Sequence, residues 1–218
     1  MSQMKARLSE PQVMVITRAP MLKIHAAQDP HSERWLFLLQ LHHIVSDHVG
    51  LEIVRRELGA YLTGGVGQLT APASYREFVA HALYQARQSD AETFFRKTLG
   101  DVTESSTPFN LLDVHGDGTE ILEARKQLDP ALARRIRQTA RHHRFSPAIL
   151  FHTAWALVVA ACSGRSDVVF GTVLAGRSQG TSGMQHMLGM FINTLPLRLR
   201  LEGMSVVQMV EEVGAAFR

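Results

Sequence analysis

Residues 35–62 constrain the fold of this chain more than any other stretch. They begin with the apolar run Trp35–Leu41, which predicts a buried strand. They end with apolar residues at three- and four-residue steps over positions 51–62, the period of an amphipathic helix. The polar and titratable residues between the two are His42, His43, Asp47 and His48. Because functional groups are often carried where a rigid element ends, this corner is a candidate catalytic site.

Composition excludes several classes of protein. The 218 residues are enough to bury a core in one large domain or two small ones. A formal charge of +3 is too weak to indicate nucleic-acid binding. Residues 1–10 lack the apolar region of a secretory signal, and the most apolar window, 148–162, falls short of the roughly 18 apolar residues of a membrane span. With Cys162 as its single cysteine, we expect a cytoplasmic protein without nucleic-acid or membrane partners.

Turn residues and helix caps divide the chain into a mixture of strands and helices. Residues 1–20 show no clean periodicity. Strands are predicted over residues 21–27, 35–41, 121–128, 167–174 and 190–201. Helices are predicted over residues 51–62, from residue 75, over residues 91–99 and 130–144, from residue 147, and over residues 205–218. This mixture favours an α/β or α+β fold, and the loop-like composition of residues 101–120 predicts the boundary between two lobes.

The histidine pair and Asp47 are suited to general-base chemistry. A histidine can be neutral and basic at cytoplasmic pH. At the end of a strand it can accept a proton from an amine or hydroxyl that attacks a carbonyl. Asp47 can hold the corner by pairing with an arginine or a backbone N–H. The alternative is a structural role, in which both histidines are hydrogen-bonded in the core. The residues of the corner alone do not decide between the catalytic and the structural interpretation.

The chain contains a second histidine pair. His142 and His143 also form a pair, but proline stands at position 147 where the first pair has aspartate. They lie in a basic helical segment, so a solvated face is expected, with docking of an acidic partner as the alternative. A metal site at residues 42–48 is not expected. Neighbouring histidines on a strand point to opposite faces, and no second cluster has zinc-ligand spacing.

Several ordered segments carry a family resemblance. Residues 42–48 match the motif HHxxxDG, residues 75–79 are similar to YxDFA, and residues 188–198 are similar to GxFxNTxPxR. Residues 167–172 and the pair 176–177 are also characteristic. The chain resembles the condensation domains of nonribosomal peptide synthetases, which share the chloramphenicol-acetyltransferase-like fold. The resemblance covers nearly the whole chain.

The resemblance implies a two-lobed α/β fold, with lobes that are α+β sandwiches, incomplete at both ends. Residues 1–104 would form the C-terminal part of the first lobe, with the HHxxxD motif, and residues 105–218 the N-terminal part of the second. It also implies an acyltransferase that forms an amide between a donor acyl or peptidyl thioester and an aminoacyl thioester acceptor. Both substrates would be carried on the 4'-phosphopantetheine of partner carrier proteins, next to an adenylation domain, and the chain itself is expected to bind no cofactor.

The resemblance also implies roles for individual residues. His43 would act as base or as hydrogen-bond acceptor, with Asp47 structural and orienting and His42 supporting. The expected residues of the substrate tunnel are His48, Asn193 and Arg177. Arg177 is in addition the candidate partner of Asp47. His48 replaces the usual glycine, so its imidazole could narrow the tunnel or contact the acceptor.

Two alternative functions remain open from the sequence. An epimerising or dual epimerising and condensing variant would use the same histidine motif. A catalytically inactive fragment that binds carrier proteins is the alternative from a different class.

Overall fold

The computed structural model describes residues 2–9, 14–112, 122–178 and 183–217. Within these ranges the strands are β1 (Leu22–Gln28), β2 (Trp35–Leu41), β3 (Asp167–Ala175) and β4 (Ile192–Arg200). The helices are α1 (Ser2–Ser9), α2 (His48–Thr63), α3 (Tyr75–Gln88), α4 (Ala91–Leu99), α5 (Pro130–His142), α6 (Pro147–Ser163) and α7 (Val206–Ala216). The strands form two sheets of two strands, β1 with β2 and β3 with β4. The chain is therefore a mixture of helix and sheet.

The chain divides into two compact units, each made of two segments of sequence. The first unit comprises Met1–Ser89 and Leu174–Asn193, and the second comprises Asp90–Val173 and Thr194–Arg218. The boundary between two lobes that was predicted at residues 104 and 105 stays a prediction.

The first unit is built on a β-hairpin and on helices α2 and α3. Strands β1 and β2 are antiparallel, with Leu22 opposite Leu41 and Gln28 opposite Trp35. Helix α2 begins at the N-cap Asp47 and ends at Gly64, whose φ of 76° is the left-handed conformation that glycine adopts readily. The apolar cluster of this unit contains Met184, Met187 and Phe191, with Ala73, Tyr75 and Phe78 packed against it. This cluster positions the candidate site.

The second unit has its own apolar core, formed by α6, α7 and parts of β3 and β4. Its buried residues are Ile149, Ala156, Val159, Val168, Leu197, Leu199, Leu201, Met209 and Val213. Both helices have side-chain caps. Ser146 accepts a hydrogen bond from Ala148 N–H, and Ser205 with Gln208 forms a capping box at the start of α7.

The strand expected at residues 121–128 was wrong over its described part, and residue 121 lies outside the described residues. Residues 122–128 form no strand, and the side chain of Leu122 is 99% exposed. Apolar residues are not enough for a strand that has no partner to pair with. Helix α1 lies in a segment without apolar periodicity, so the sequence pattern gave no signal for it. Ser74 is the N-cap residue of α3, but its side chain makes no capping hydrogen bond.

Among the described helices, none is by itself long and apolar enough to cross a bilayer. Helices α5 and α6, which are bent by 113° relative to each other, meet the length and composition criteria only when they are counted together.

Candidate functional site

The histidine pair lies in a turn between β2 and α2. Strand β2 ends at Leu41, so both histidines follow the strand and the expected alternation to opposite faces does not apply. Nδ1 of His42 accepts a hydrogen bond from Ile44 N–H over 3.0 Å, and its carbonyl accepts one from Val45 N–H over 3.2 Å. His43 is exposed. His42 therefore stabilises the turn, while the ring of His43 is open to a ligand.

Asp47 is buried and caps the helix that follows. Asp47 is 4% exposed. Oδ1 accepts a hydrogen bond from Gly50 N–H over 2.9 Å, which satisfies one of the free donors at the start of α2. Its own N–H donates to the carbonyl of Gly189 over 3.3 Å. A Cβ on Gly50 would overlap with Ser46 Oγ and press on Leu188, so a larger residue at this position would displace both side chains.

Arg177 connects Asp47 to the segment 184–191. Its Nη2 donates to Asp47 Oδ1 over 2.8 Å and its Nε to Oδ2 over 3.2 Å. Nη1 donates to the carbonyls of Met184 and Met187 over 2.9 and 2.8 Å. We call Arg177 and these acceptors the Arg177 network. The pairing of Arg177 with Asp47 was predicted as a candidate, and it is present in the structure.

The environment of Asp47 keeps its carboxyl ionised. Burial opposes the charge and by itself would raise the pKa of Asp47. The hydrogen bonds from Arg177 and from Gly50 N–H, the positive charge of Arg177 and the backbone of Phe191 act in the other direction. Together they lower the pKa below its ordinary value. Asp47 is therefore an anion held by a cation, which suits a structural role better than proton transfer.

Aromatic side chains surround the Arg177 network. The guanidinium carbon of Arg177 lies 3.9 Å from the ring centroid of Phe191, a cation–π contact. Tyr75 packs edge-on against Phe191 with centroids 5.3 Å apart, and its hydroxyl donates to the carbonyl of Met190 over 2.5 Å. A Cβ on Gly189 would overlap with the Tyr75 ring, so this close approach depends on glycine.

A pocket of about 700 Å³ lies next to these aromatic residues in the first unit. Helix α3 contributes Phe78, His81, Ala82 and Gln85 to it, followed by Ser89. The other described residues that line it are Gly176, Met184, Met190, Phe191, Ile192 and Asn193. We call it the α3 pocket.

The structure brings together only some of the residues expected to form the site. Asp47 and Arg177 are paired, and Asn193 lines the α3 pocket. His43 is not among the described lining residues of that pocket, and neither is His48, which is exposed at the first position of α2. The roles assigned to all six residues stay predictions.

Sequence reasoning missed the carbonyl acceptors of the Arg177 network and the polar residues of α3. A main-chain carbonyl leaves no trace in residue type, so Met184 and Met187 gave no signal. His81 and Gln85 are four residues apart, and this helical spacing could have shown that they share a face.

His142 and His143 are both exposed at the end of α5, which confirms the predicted solvated face. Within the described ranges, no group of three or more histidine, cysteine, aspartate or glutamate side chains is arranged to hold a metal ion.

Comparison with known proteins identifies the family. The family model for the condensation domain matches residues 2–218, so the chain belongs to the condensation-domain family. It is 43% identical to malpibaldin synthetase of Mortierella alpina over 195 residues, which cover 89% of this chain and 4% of that protein. It is 28% identical to gramicidin S synthase 2 of Brevibacillus brevis over 207 residues, which cover 92% of this chain and 5% of that protein.

Solved structures show the same fold. The first condensation domain of the CDA synthetase superposes with a TM-score of 0.69 at 22% identity, over 99% of this chain and 49% of that one. The X-domain in its complex with OxyB from teicoplanin biosynthesis gives a TM-score of 0.72 at 20% identity, over 100% of this chain and 51% of that one. The chain thus spans about half the length of these structures and a few per cent of its curated relatives.

These findings confirm the predicted family and the chloramphenicol-acetyltransferase-like α+β fold. Condensation domains form the peptide bond in nonribosomal peptide synthesis. They act on substrates held on phosphopantetheine, together with the carrier and adenylation domains of their synthetases.

Proposed function

We propose that this chain carries the histidine motif of an amide-forming condensation domain and that His43 is its catalytic residue. The acceptor amine attacks the carbonyl carbon of the donor thioester, the new C–N bond forms, and the C–S bond breaks. His43 accepts the proton that the amine loses, or orients the amine through a hydrogen bond, and the thiol leaves with a proton. The exposed position of His43 beside a turn held by His42 is the observation that carries this proposal.

Asp47 supports this chemistry without taking part in it. Its carboxylate is bound by Arg177 and by the first turn of α2, so it is a positioning residue for the corner that presents His43. Orientation of two tethered reactants can supply much of the rate. His48, Asn193 and Arg177 are proposed to border the path of the substrates.

The proposed partners are donor and acceptor carrier proteins with 4'-phosphopantetheine thioesters, and a neighbouring adenylation domain. A cytoplasmic location fits a chain whose single cysteine, Cys162, forms no disulfide in the described structure.

Product analysis tests the proposed reaction. The protein is incubated with an acyl donor and an L-aminoacyl acceptor, each on a carrier protein. The expected product is an amide on the acceptor carrier with the L configuration retained. Inversion would indicate the epimerising alternative, and carrier binding without any amide would indicate the inactive carrier-binding alternative.

A further inference from the structure

The α3 pocket combines an apolar wall with polar groups along one helix. Phe78, Met184 and Phe191 form the apolar part, and the ring centroids of Phe78 and Phe191 are 4.4 Å apart. His81 and Gln85 lie four residues apart on α3 and therefore share one face of it. Such a lining fits a ligand with an apolar body and a group that forms hydrogen bonds.

The charge of the lining narrows the class of ligand. The described residues that line the pocket include no carboxylate, lysine or arginine. A charged group placed against the wall of Met184 and Phe191 would lose part of its water without gaining an ion partner, which costs free energy. The part of the ligand that enters the α3 pocket is therefore expected to be uncharged.

The apolar wall is fixed before a ligand arrives. Phe191 is held by the guanidinium of Arg177 and the edge of Tyr75, and its carbonyl accepts a hydrogen bond from Gly176 N–H over 2.6 Å. The carbonyl of Met184 is held by Arg177. A rigid wall reduces the entropy lost on binding. The Arg177 network thus orders both the corner at Asp47 and the wall of this pocket.

We propose that the α3 pocket binds the side chain of an uncharged aromatic aminoacyl substrate and that Gln85 is a specificity-determining residue there. The proposal rests on the proposed condensation function and names the substrate class for it. Aromatic rings and methionine sulfur form favourable contacts with an aromatic ligand. The amide of Gln85 is available to a hydroxyl, an indole N–H or an amide of the ligand.

Methionine-methyl NMR of the 218-residue chain tests binding without carriers or chemistry. The chain is labelled with ¹³C-methyl methionine and titrated with one of three probes. They are N-acetyl-L-tyrosinamide, N-acetyl-L-alaninamide and the α-amide of N-acetyl-L-glutamate, whose side-chain carboxylate stays charged. The tyrosine probe is expected to shift the methyl signals of Met184 and Met190, which line the pocket, and to leave that of Met209 in the second unit unchanged. The alanine and glutamate probes are expected to bind at least about tenfold more weakly.

A pair of variants on α3 tests the role of Gln85. Gln85→Ala is expected to weaken binding of the tyrosine probe about fivefold, the effect of one net hydrogen bond. Gln88→Ala is the matched control, because Gln88 is an exposed glutamine of the same helix, as Gln85 is, but lies outside the described lining. Equal binding of the tyrosine and alanine probes, or an unchanged Gln85→Ala variant, would overturn the proposal. Loss of amide formation in a His43→Ala enzyme would then still support the proposed function, so the two failures are distinguishable.

Discussion

Arg177 donates hydrogen bonds to both carboxylate oxygens of Asp47, from Nη2 over 2.8 Å and from Nε over 3.2 Å, across 130 positions of sequence. The same guanidinium donates to the carbonyls of Met184 and Met187 and lies over the ring of Phe191. The aspartate of the motif is therefore part of a buried ion pair that fixes the turn after β2. Changes at Asp47 should act on the structure of the corner, whereas changes at His43 should act on chemistry.

Asp47→Ala should destabilise the chain strongly. It removes the cap of α2 and leaves Arg177, whose side chain is 10% exposed, without a counter-charge. Loss of one partner of a buried ion pair costs about 3 kcal/mol or more. Urea unfolding measures this free energy. Glu52→Ala is the control, because it breaks an exposed ion pair with Arg55 on the same helix and should cost less than about 1 kcal/mol. Equal losses of unfolding free energy in the two variants would show that the buried ion pair stabilises the chain no more than the exposed one.

The sequence specified this corner only in part. Asp47 as helix cap could be predicted because the motif, the cap and the start of α2 lie within a few residues. Arg177 could be proposed as its partner only through the family resemblance. The carbonyls of Met184 and Met187 could not be predicted, because their positions depend on the backbone path of residues 184–191. The strand prediction at residues 122–128 was wrong for a similar reason, since the pairing of a strand depends on residues distant in sequence.

The stability contributed by Asp47 should depend on pH. Its pKa is lower in the folded chain than the ordinary value of 3.8, because Arg177 and Gly50 N–H outweigh the effect of burial. The contribution is then fully present above the unfolded pKa and is lost as pH falls through the folded pKa. The difference in unfolding free energy between the wild type and Asp47→Asn should therefore shrink below about pH 4. A difference that stayed constant down to about pH 2 would contradict this assignment.

Gly189→Ala should destabilise the first unit. A Cβ there would overlap with the ring of Tyr75, which is tied to Met190 by its hydroxyl, so ring and backbone must move apart. Overpacking of this kind costs about 1–3 kcal/mol. Gly59→Ala in α2 is the matched control. No atom lies within 4 Å of a Cβ at Gly59, and the change should be neutral or stabilise the helix by up to about 1 kcal/mol. Thermal unfolding of both variants checks the prediction, which fails if Gly189→Ala is as stable as Gly59→Ala.

Arg198→Ala should destabilise the second unit. Its side chain is 6% exposed and donates to Asp167 over 2.6 and 2.9 Å and to the carbonyl of Thr98 over 2.7 Å. Its removal takes these donors away from the Thr98 carbonyl and from the half-exposed Asp167 carboxylate, at a cost of about 1–3 kcal/mol. Arg200→Ala is the control, since the Arg200 side chain is 62% exposed beside Asp101 and Asp167 and its loss should cost less than about 1 kcal/mol. Chemical denaturation compares the two, and similar losses would count against a structural role specific to Arg198.

The most direct test of the central claim compares two histidine pairs of this chain. The variants are His43→Ala and His143→Ala. Two quantities are measured for each: the rate of amide formation between carrier-bound substrates and the affinity of the protein for the carriers. His43→Ala should lower the rate by roughly 10²–10⁴-fold with carrier binding unchanged, as expected for loss of a general base. His143→Ala, in the exposed pair at the end of α5, should leave both quantities unchanged. A His43→Ala enzyme that forms the amide at the original rate would contradict the assignment of His43.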